Sequence, residues 1–159
     1  MSQQLIVMCG VPASGKSTVS KQLADKLEAT LISRDQVRNQ IKETKYTPEA
    51  HERVRNAFFD KIKGKLMNGE SVVADATHLT RLSRERILEI GKQFKTATVA
   101  VYFDVEWETL KSRNALRDAK TKVPEDALRS MYLDYSFPSK TEGFTNVVKI
   151  KDNGEIINE

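Results

Sequence analysis

Gly10-Val11-Pro12-Ala13-Ser14-Gly15-Lys16-Ser17 fills the pattern G-x-x-x-x-G-K-[ST] completely, and the chemistry this spacing serves is the cradling of a phosphate chain. Glycine at both ends lets consecutive backbone N–H groups turn inward as an anion nest. A helix that follows would aim its positive N-terminal end at the same charges. On this reading Gly10, Ala13, Ser14 and Gly15 line a nucleotide site, and Lys16 reaches the β and γ phosphates. Ser17 offers a hydroxyl to Mg2+, and Thr18 offers one to the α phosphate. A nucleoside triphosphate is therefore the expected ligand. The rival reading, a glycine-rich turn with a solvated lysine, does not explain an apolar run before the loop and a helix-period segment after it.

Where the phosphoryl group goes must be read from other residues. Asp35 is the candidate to take the proton of an acceptor hydroxyl. In a loose transition state such a base mainly orients the nucleophile, so an ordinary carboxylate suffices. The competing role for Asp35 is N-cap of the short helix after it. Arg38, three residues on, is suited to gripping an anionic group bidentately, or is a solvated helix arginine. Arg34 stands with them. Asp75 ends a strand and either helps hold Mg2+ or is a plain strand-end aspartate. His78 has no Cys or His at metal spacing and is expected to line a loop. Asp104 is expected to cap the helix that begins at Trp107. Arg113 and Arg117 lie four apart at a helix end and lead into Arg117–Val123, where Lys120 and Lys122 face only Asp118. A basic lid over residues 113–123 would bring an arginine onto transition-state charge; a solvated helix terminus is the alternative.

These residues need a frame. Leu5–Cys9 is a continuous apolar run, as in a strand covered on both faces. Lys16–Glu28 has helical periodicity, Thr30–Ser33 is a short second strand, and Asp35–Thr44 a short helix. Thr47 and Pro48 are N-cap and first residue of a helix that runs to about Met67 and is ended by Asn68-Gly69. Ser71–Asp75 is a strand, Ser83–Phe94 a helix, Thr98–Phe103 a strand, Trp107–Leu116 a helix. Pro124 opens the last helix, and Asn153-Gly154 between apolar runs predicts a C-terminal hairpin. Alternation of strand and helix predicts an α/β fold, a parallel sheet with helices on both faces. Ligands in such sheets sit at the carboxyl ends of the strands. That rule gathers Gly10, Arg34, Asp35, Asp75–His78 and Asp104 on one rim, with the second strand's exit expected beside the phosphate loop.

The 159 residues suit one domain. With 26 Lys and Arg against 22 Asp and Glu, the net charge of +4 fits an anionic substrate. Cys9 is the sole cysteine, which excludes a disulfide within the chain and suggests a packed small side chain. The apolar runs are too short to span a membrane and Met1-Ser2-Gln3-Gln4 lacks the basic start of a signal peptide, so a cytoplasmic protein is expected.

The chain resembles the kinase domain of the polynucleotide 5′-hydroxyl kinase family, its T-even bacteriophage members most of all. The likeness reaches to about Tyr135. It rests on the phosphate loop, Ser33-Arg34-Asp35-Gln36-Val37-Arg38, Thr77-His78-Leu79, Phe103-Asp104-Val105-Glu106-Trp107, Arg113-Asn114 with Arg117, and Val123-Pro124 with Leu128-Arg129-Ser130-Met131-Tyr132. The resemblance implies a phosphate-loop NTPase/kinase fold and transfer of the γ phosphate of ATP to the 5′ hydroxyl of DNA or RNA. It implies Asp35 as general base, Arg38 on the neighbouring acceptor phosphate, Arg117 on the donor phosphates, and Thr77 with Val123 beside the acceptor base. His78 stands where the family often has Asn. The family's phosphatase motif, Asp-x-Asp, is absent, so a single kinase domain over 1–159 is expected, without phosphatase activity. Related kinases act on small alcohols or hydroxymethylated DNA bases, and a nucleotide-hydrolysing switch is a third class. No protein partner is evident.

Overall fold

A computed structural model describes residues 2–159. The strands are β1 (Gln4–Cys9), β2 (Thr30–Ser33), β3 (Val72–Asp75), β4 (Ala97–Asp104), β5 (Asn146–Lys151) and β6 (Ile156–Asn158). The helices are α1 (Lys16–Leu27), α2 (Arg34–Gln40), α3 (Pro48–Met67), α4 (Arg81–Gln93), α5 (Trp107–Ala115) and α6 (Glu125–Asp134), with a 3-10 turn at Lys140–Glu142. They build a six-stranded sheet in the order β2-β3-β1-β4-β5-β6, parallel except for the last pair. β5 and β6 form the expected hairpin, with Gly154 at φ 86 in its turn. No helix of the described residues is long and apolar enough to cross a membrane.

Strand alternation decides which helix covers which face. Leu5, Val7 and Cys9 of β1 point to one side with Phe58, Phe59, Ile62 and Leu66 of α3 and Ile87 and Ile90 of α4. Ile6 and Met8 point to the other, with Ala24 of α1, Leu110 of α5 and Leu128 of α6. Burying such side chains on both faces is what makes β1 apolar throughout. Burial also pushes the Cys9 thiol up to about 12, which leaves it an inert packing residue.

Thr47 caps α3, its hydroxyl accepting from the Ala50 amide at 3.1 Å, and Pro48 is the first helical residue, as expected. Three expectations are corrected. β3 lies between β1 and β2, so the second strand exits one strand away from the phosphate loop. α2 ends at Gln40 and not at Thr44, because Lys42 takes φ 57 and turns the chain out of the helix. Asp104 does not cap α5: it remains the last residue of β4, and Glu106 holds the cap position without a side-chain hydrogen bond.

Candidate functional site

The loop after β1 is shaped by two residues in the left-handed region, Ala13 at φ 69 and Gly15 at φ 100. Between them Ser14 is buried, its hydroxyl without a partner among the described residues. Gly10 has a steric reason: a Cβ there would sit 3.0 Å from Ser14 Oγ and 3.2 Å from Phe103 Cβ. Its amide donates to the Thr77 carbonyl at 2.9 Å, which clips the loop to the chain leaving β3. No side chain caps α1, so its first N–H groups stay open towards the loop. Ser17 and Thr18 are exposed in that first turn. An orphaned hydroxyl, turned amides and an uncapped helix start make a receptor for anionic oxygen.

Lys16 folds back over the loop and donates from Nζ to the Val11 carbonyl at 3.2 Å. Burial lowers its pKa, and Asp75 and Asp35 oppose that effect while Arg117 reinforces it. The charges of Asp75, Arg117 and Asp35, from three other parts of the chain, all act on this ammonium. Asp75 ends β3 in register with Met8 of β1 and Ser33 of β2. Burial raises its pKa, Lys16 counters this, and Asp35 adds to it; the buried Ser20 hydroxyl beside it stops short of a good hydrogen bond.

Asp35 is exposed in the first turn of α2. Ser33 caps that helix, its Oγ accepting from the Gln36 amide at 3.2 Å. The capping alternative for Asp35 therefore falls, and its exposed carboxylate makes no hydrogen bond or ion pair among the described residues. Arg34 lays its guanidinium 5.2 Å from the Phe58 ring centroid, and its Nε is buried with no partner among the described residues. Burial first, then the charge of Arg55, lowers its pKa to about 10. Arg38 is not simply solvated. Its Nη1 donates to the Lys45 carbonyl at 2.7 Å, its Nη2 meets His51 Nδ1 at 3.1 Å, and its guanidinium lies 4.5 Å from the Tyr46 ring centroid.

Arg113 bridges two carbonyls, Ser14 at 3.3 Å and Asp152 at 3.2 Å, and so ties the phosphate loop to the turn of the C-terminal hairpin. Arg117 lies just beyond α5, with a buried Nη1 that has no partner among the described residues. Val123 is fixed by Asn114, which donates to its carbonyl at 2.6 Å and accepts from its amide at 3.0 Å. That pair closes the basic loop as a ring on α5. Thr77 is half-buried, its carbonyl spent on Gly10.

His78 departs from expectation. It does not line an open loop; it is 1% exposed, with Nδ1 2.7 Å from the Met8 carbonyl and φ at 44. Its peptide is held by Arg84, a residue the sequence reading passed over. Arg84 is fully buried on α4, donates to the carbonyls of His78 and Ser136 at 2.9 Å each, and pairs with Glu142. An arginine three residues before Ile87, on the apolar stripe of the helix, was the available signal. Tyr135 was also missed; its hydroxyl sits 3.1 Å from the Cys9 carbonyl and 3.0 Å from that of Phe103, beneath the loop.

A family model described as an AAA domain matches residues 5–138. An L-seryl-tRNA(Sec) kinase of Methanococcus maripaludis is 27% identical over 98% of this chain and 64% of its own length. A bifunctional polynucleotide phosphatase/kinase of Schizosaccharomyces pombe is 26% identical over 93% of this chain and 33% of its own length. The chain thus spans only about two thirds and one third of these relatives. In fold, it is similar to a gluconokinase from Sinorhizobium meliloti 1021, with TM-score 0.66 and 21% identity over 93% of this chain and 82% of that one.

Proposed function

The chain belongs to the AAA-domain family, and from that premise we propose that it transfers the γ-phosphoryl group of ATP to the 5′ hydroxyl of DNA or RNA. The hydroxyl oxygen attacks the γ phosphorus, the bond from that phosphorus to the β–γ bridging oxygen breaks, and ADP leaves. Asp35 orients the hydroxyl and takes its proton. Lys16 and the loop amides of Gly10, Ala13, Ser14 and Gly15 hold the donor phosphates, Thr18 the α phosphate, and Arg117 takes up charge on the transferring group. Arg113 keeps the loop's Ser14 peptide in place. Arg34, Arg38, Thr77 and Val123 form the acceptor side, and residues 113–123 act as a lid on one kinase domain.

Mg2+ fits the donor set. Ser17 and Asp75 would supply hard oxygen ligands, and this cation takes few protein ligands when phosphates and water complete its shell. Held there, it would supply positive charge to offset that of the donor phosphates.

The observation that carries the reading is the Asp35 carboxylate, exposed in the first turn of α2 and spared from capping by Ser33, on the rim that also carries the phosphate loop. A hydrolysing switch needs a water-positioning group and has no use for an acceptor base flanked by Arg34 and Arg38. The similarity to relatives named for seryl-tRNA and for polynucleotide supports an acceptor carried on nucleic acid. The test is γ-phosphate transfer to a 5′-hydroxyl oligonucleotide, a nucleoside 3′-monophosphate, a bare nucleoside and a small alcohol. The oligonucleotide is expected to be far the best acceptor, with KM rising as salt rises. Equal use of the bare nucleoside, or preference for the small alcohol, overturns the polynucleotide assignment.

A further inference from the structure

A groove of about 230 Å³ opens on the rim between the phosphate loop and α6, where Val11, Phe103, Asp104, Tyr132, Leu133 and Phe137 line it. No residue of the proposed catalytic or phosphate-binding set belongs to it. The Val11 carbonyl accepts from Lys16, the residue assigned to the β and γ phosphates, so the groove adjoins the end of the donor where transfer occurs. On the other side the Ser136 amide donates to the Leu79 carbonyl at 2.9 Å, two residues past Thr77 of the acceptor side. The walls are aromatic and braced. Tyr132 lies 5.6 Å from Trp107, itself under the Arg129 guanidinium at 5.2 Å, and Phe137 lies 4.9 Å from Tyr102 and 5.2 Å from Tyr135. Yet Phe137 is 46% and Leu133 68% exposed, apolar surface left without cover. One charge stands among the lining residues. Asp104 is half-buried at the end of β4, and its carboxylate makes no hydrogen bond or ion pair among the described residues.

Flat apolar walls with a single unpaired carboxylate suit one planar ring system whose edge donates hydrogen bonds. The volume lies below the roughly 300–1,000 Å³ that encloses a drug-sized ligand, so the groove takes a ring and not a whole nucleotide. A lining whose only charge is negative repels phosphate. We propose that this groove holds the nucleobase of the second nucleotide of the acceptor strand, with guanine preferred. The proposal rests on the polynucleotide reading, in which Thr77 and Val123 already flank the terminal base. Stacking on aromatic rings accepts any base, and the carboxylate selects among them. Asp104 has two oxygens that only accept. Guanine alone presents two adjacent donors, N1–H and the 2-amino group, and meets both oxygens at once. Adenine and cytosine set one amino donor beside a ring-nitrogen acceptor, which would face the second oxygen and repel it. Uracil and thymine set one donor between two carbonyls. The contact is the same before and during transfer, so it contributes to acceptor binding and not to the chemical step.

The experiment is steady-state kinetics of the wild type, Asp104→Asn and Tyr132→Ala on 5′-hydroxyl oligonucleotides that differ only at the second nucleotide, which carries guanine, hypoxanthine, adenine or no base. Loss of one stacked base predicts for the wild type an acceptor KM roughly tenfold or more higher on the abasic strand than on the guanine strand, with kcat and the ATP KM unchanged. Adenine should fall roughly tenfold behind guanine. Hypoxanthine, which keeps N1–H and lacks the amino group, should lie between them. A strand abasic at the third nucleotide should behave as the intact one. Asp104→Asn removes the second acceptor and should bring guanine and adenine level. Tyr132→Ala should raise KM on every strand with a second base and leave it unchanged on the abasic one, whereas a loosened fold would raise it on all. The proposal is overturned by a wild type that is indifferent to the second base or prefers adenine, by a guanine preference that survives Asp104→Asn, or by a Tyr132→Ala loss that persists on the abasic strand. The wild-type strands decide the matter even if Tyr132→Ala does not fold. Each of those results leaves the function standing when the wild type phosphorylates oligonucleotides well. A wild type that uses a small alcohol and ignores every oligonucleotide overturns the function, and this proposal with it.

Discussion

Arg84 and Glu142, 58 residues apart, close a two-point ion pair out of contact with water, Nε to Oε1 at 2.8 Å and Nη2 to Oε2 at 3.1 Å. The same guanidinium reaches the His78 and Ser136 carbonyls, so it joins α4, the exit loop of β3 and the segment that crosses the rim after α6. Removing one member leaves a buried charge uncompensated. Glu142→Ala is expected to destabilise the fold by about 3–5 kcal/mol. Urea unfolding checks this, and because the pair is shielded from salt, the loss should be similar at low and high ionic strength. A loss under about 1 kcal/mol would show that the pair behaves like a surface contact.

Asp35→Asn separates catalysis from folding. The amide cannot take the acceptor proton, so phosphoryl transfer should fall by about 10²-fold or more. ATP binding should persist, and so should the melting temperature, because Ser33 rather than Asp35 caps α2. Full turnover in this variant removes the base from the mechanism.

Arg117→Ala tests the lid. An arginine that acts on charge developing during transfer should lower kcat and kcat/KM together, by roughly 10²–10³-fold, while leaving ATP affinity little changed. If only the ATP KM rises, Arg117 contributes ground-state binding and no more.

The buried His78 gives stability a direction with pH. Its folded pKa, about 3, lies below the ordinary value of 6.5, so the unfolded chain binds more protons between those limits. Stability from this group is whole above pH 6.5 and is lost progressively as pH falls towards 3. Thermal melting of the wild type should therefore drop more steeply between pH 6.5 and 5 than that of His78→Asn. Parallel curves would mean that the imidazole protonates without opposing the fold.

Short-range pattern was enough for much of this protein. The phosphate loop, the Thr47-Pro48 helix start and the Asn153-Gly154 hairpin are set by residues within a few positions of one another, where backbone conformation and hydrogen-bond reach are local. The apolar runs of β1 and β4 announced a sheet covered on both faces because burial on both sides leaves no polar alternation. What the sequence by itself could not determine is which polar group meets which. Ser33 caps α2 because pairing of Ser33 with Asp75 carries β2 up to that residue, which leaves Asp35 inside the first turn. Placing β3 between β1 and β2 sets Asp75 at β1's side and carries Asp35 a strand further out along the rim. Arg38 and Arg113 looked equally free as ligand arginines, yet both are engaged by carbonyls, and Arg34 and Arg117 keep buried nitrogens in reserve. A buried donor or acceptor takes its partner from whatever the fold carries to it, often from far along the chain, and only tertiary packing makes that choice.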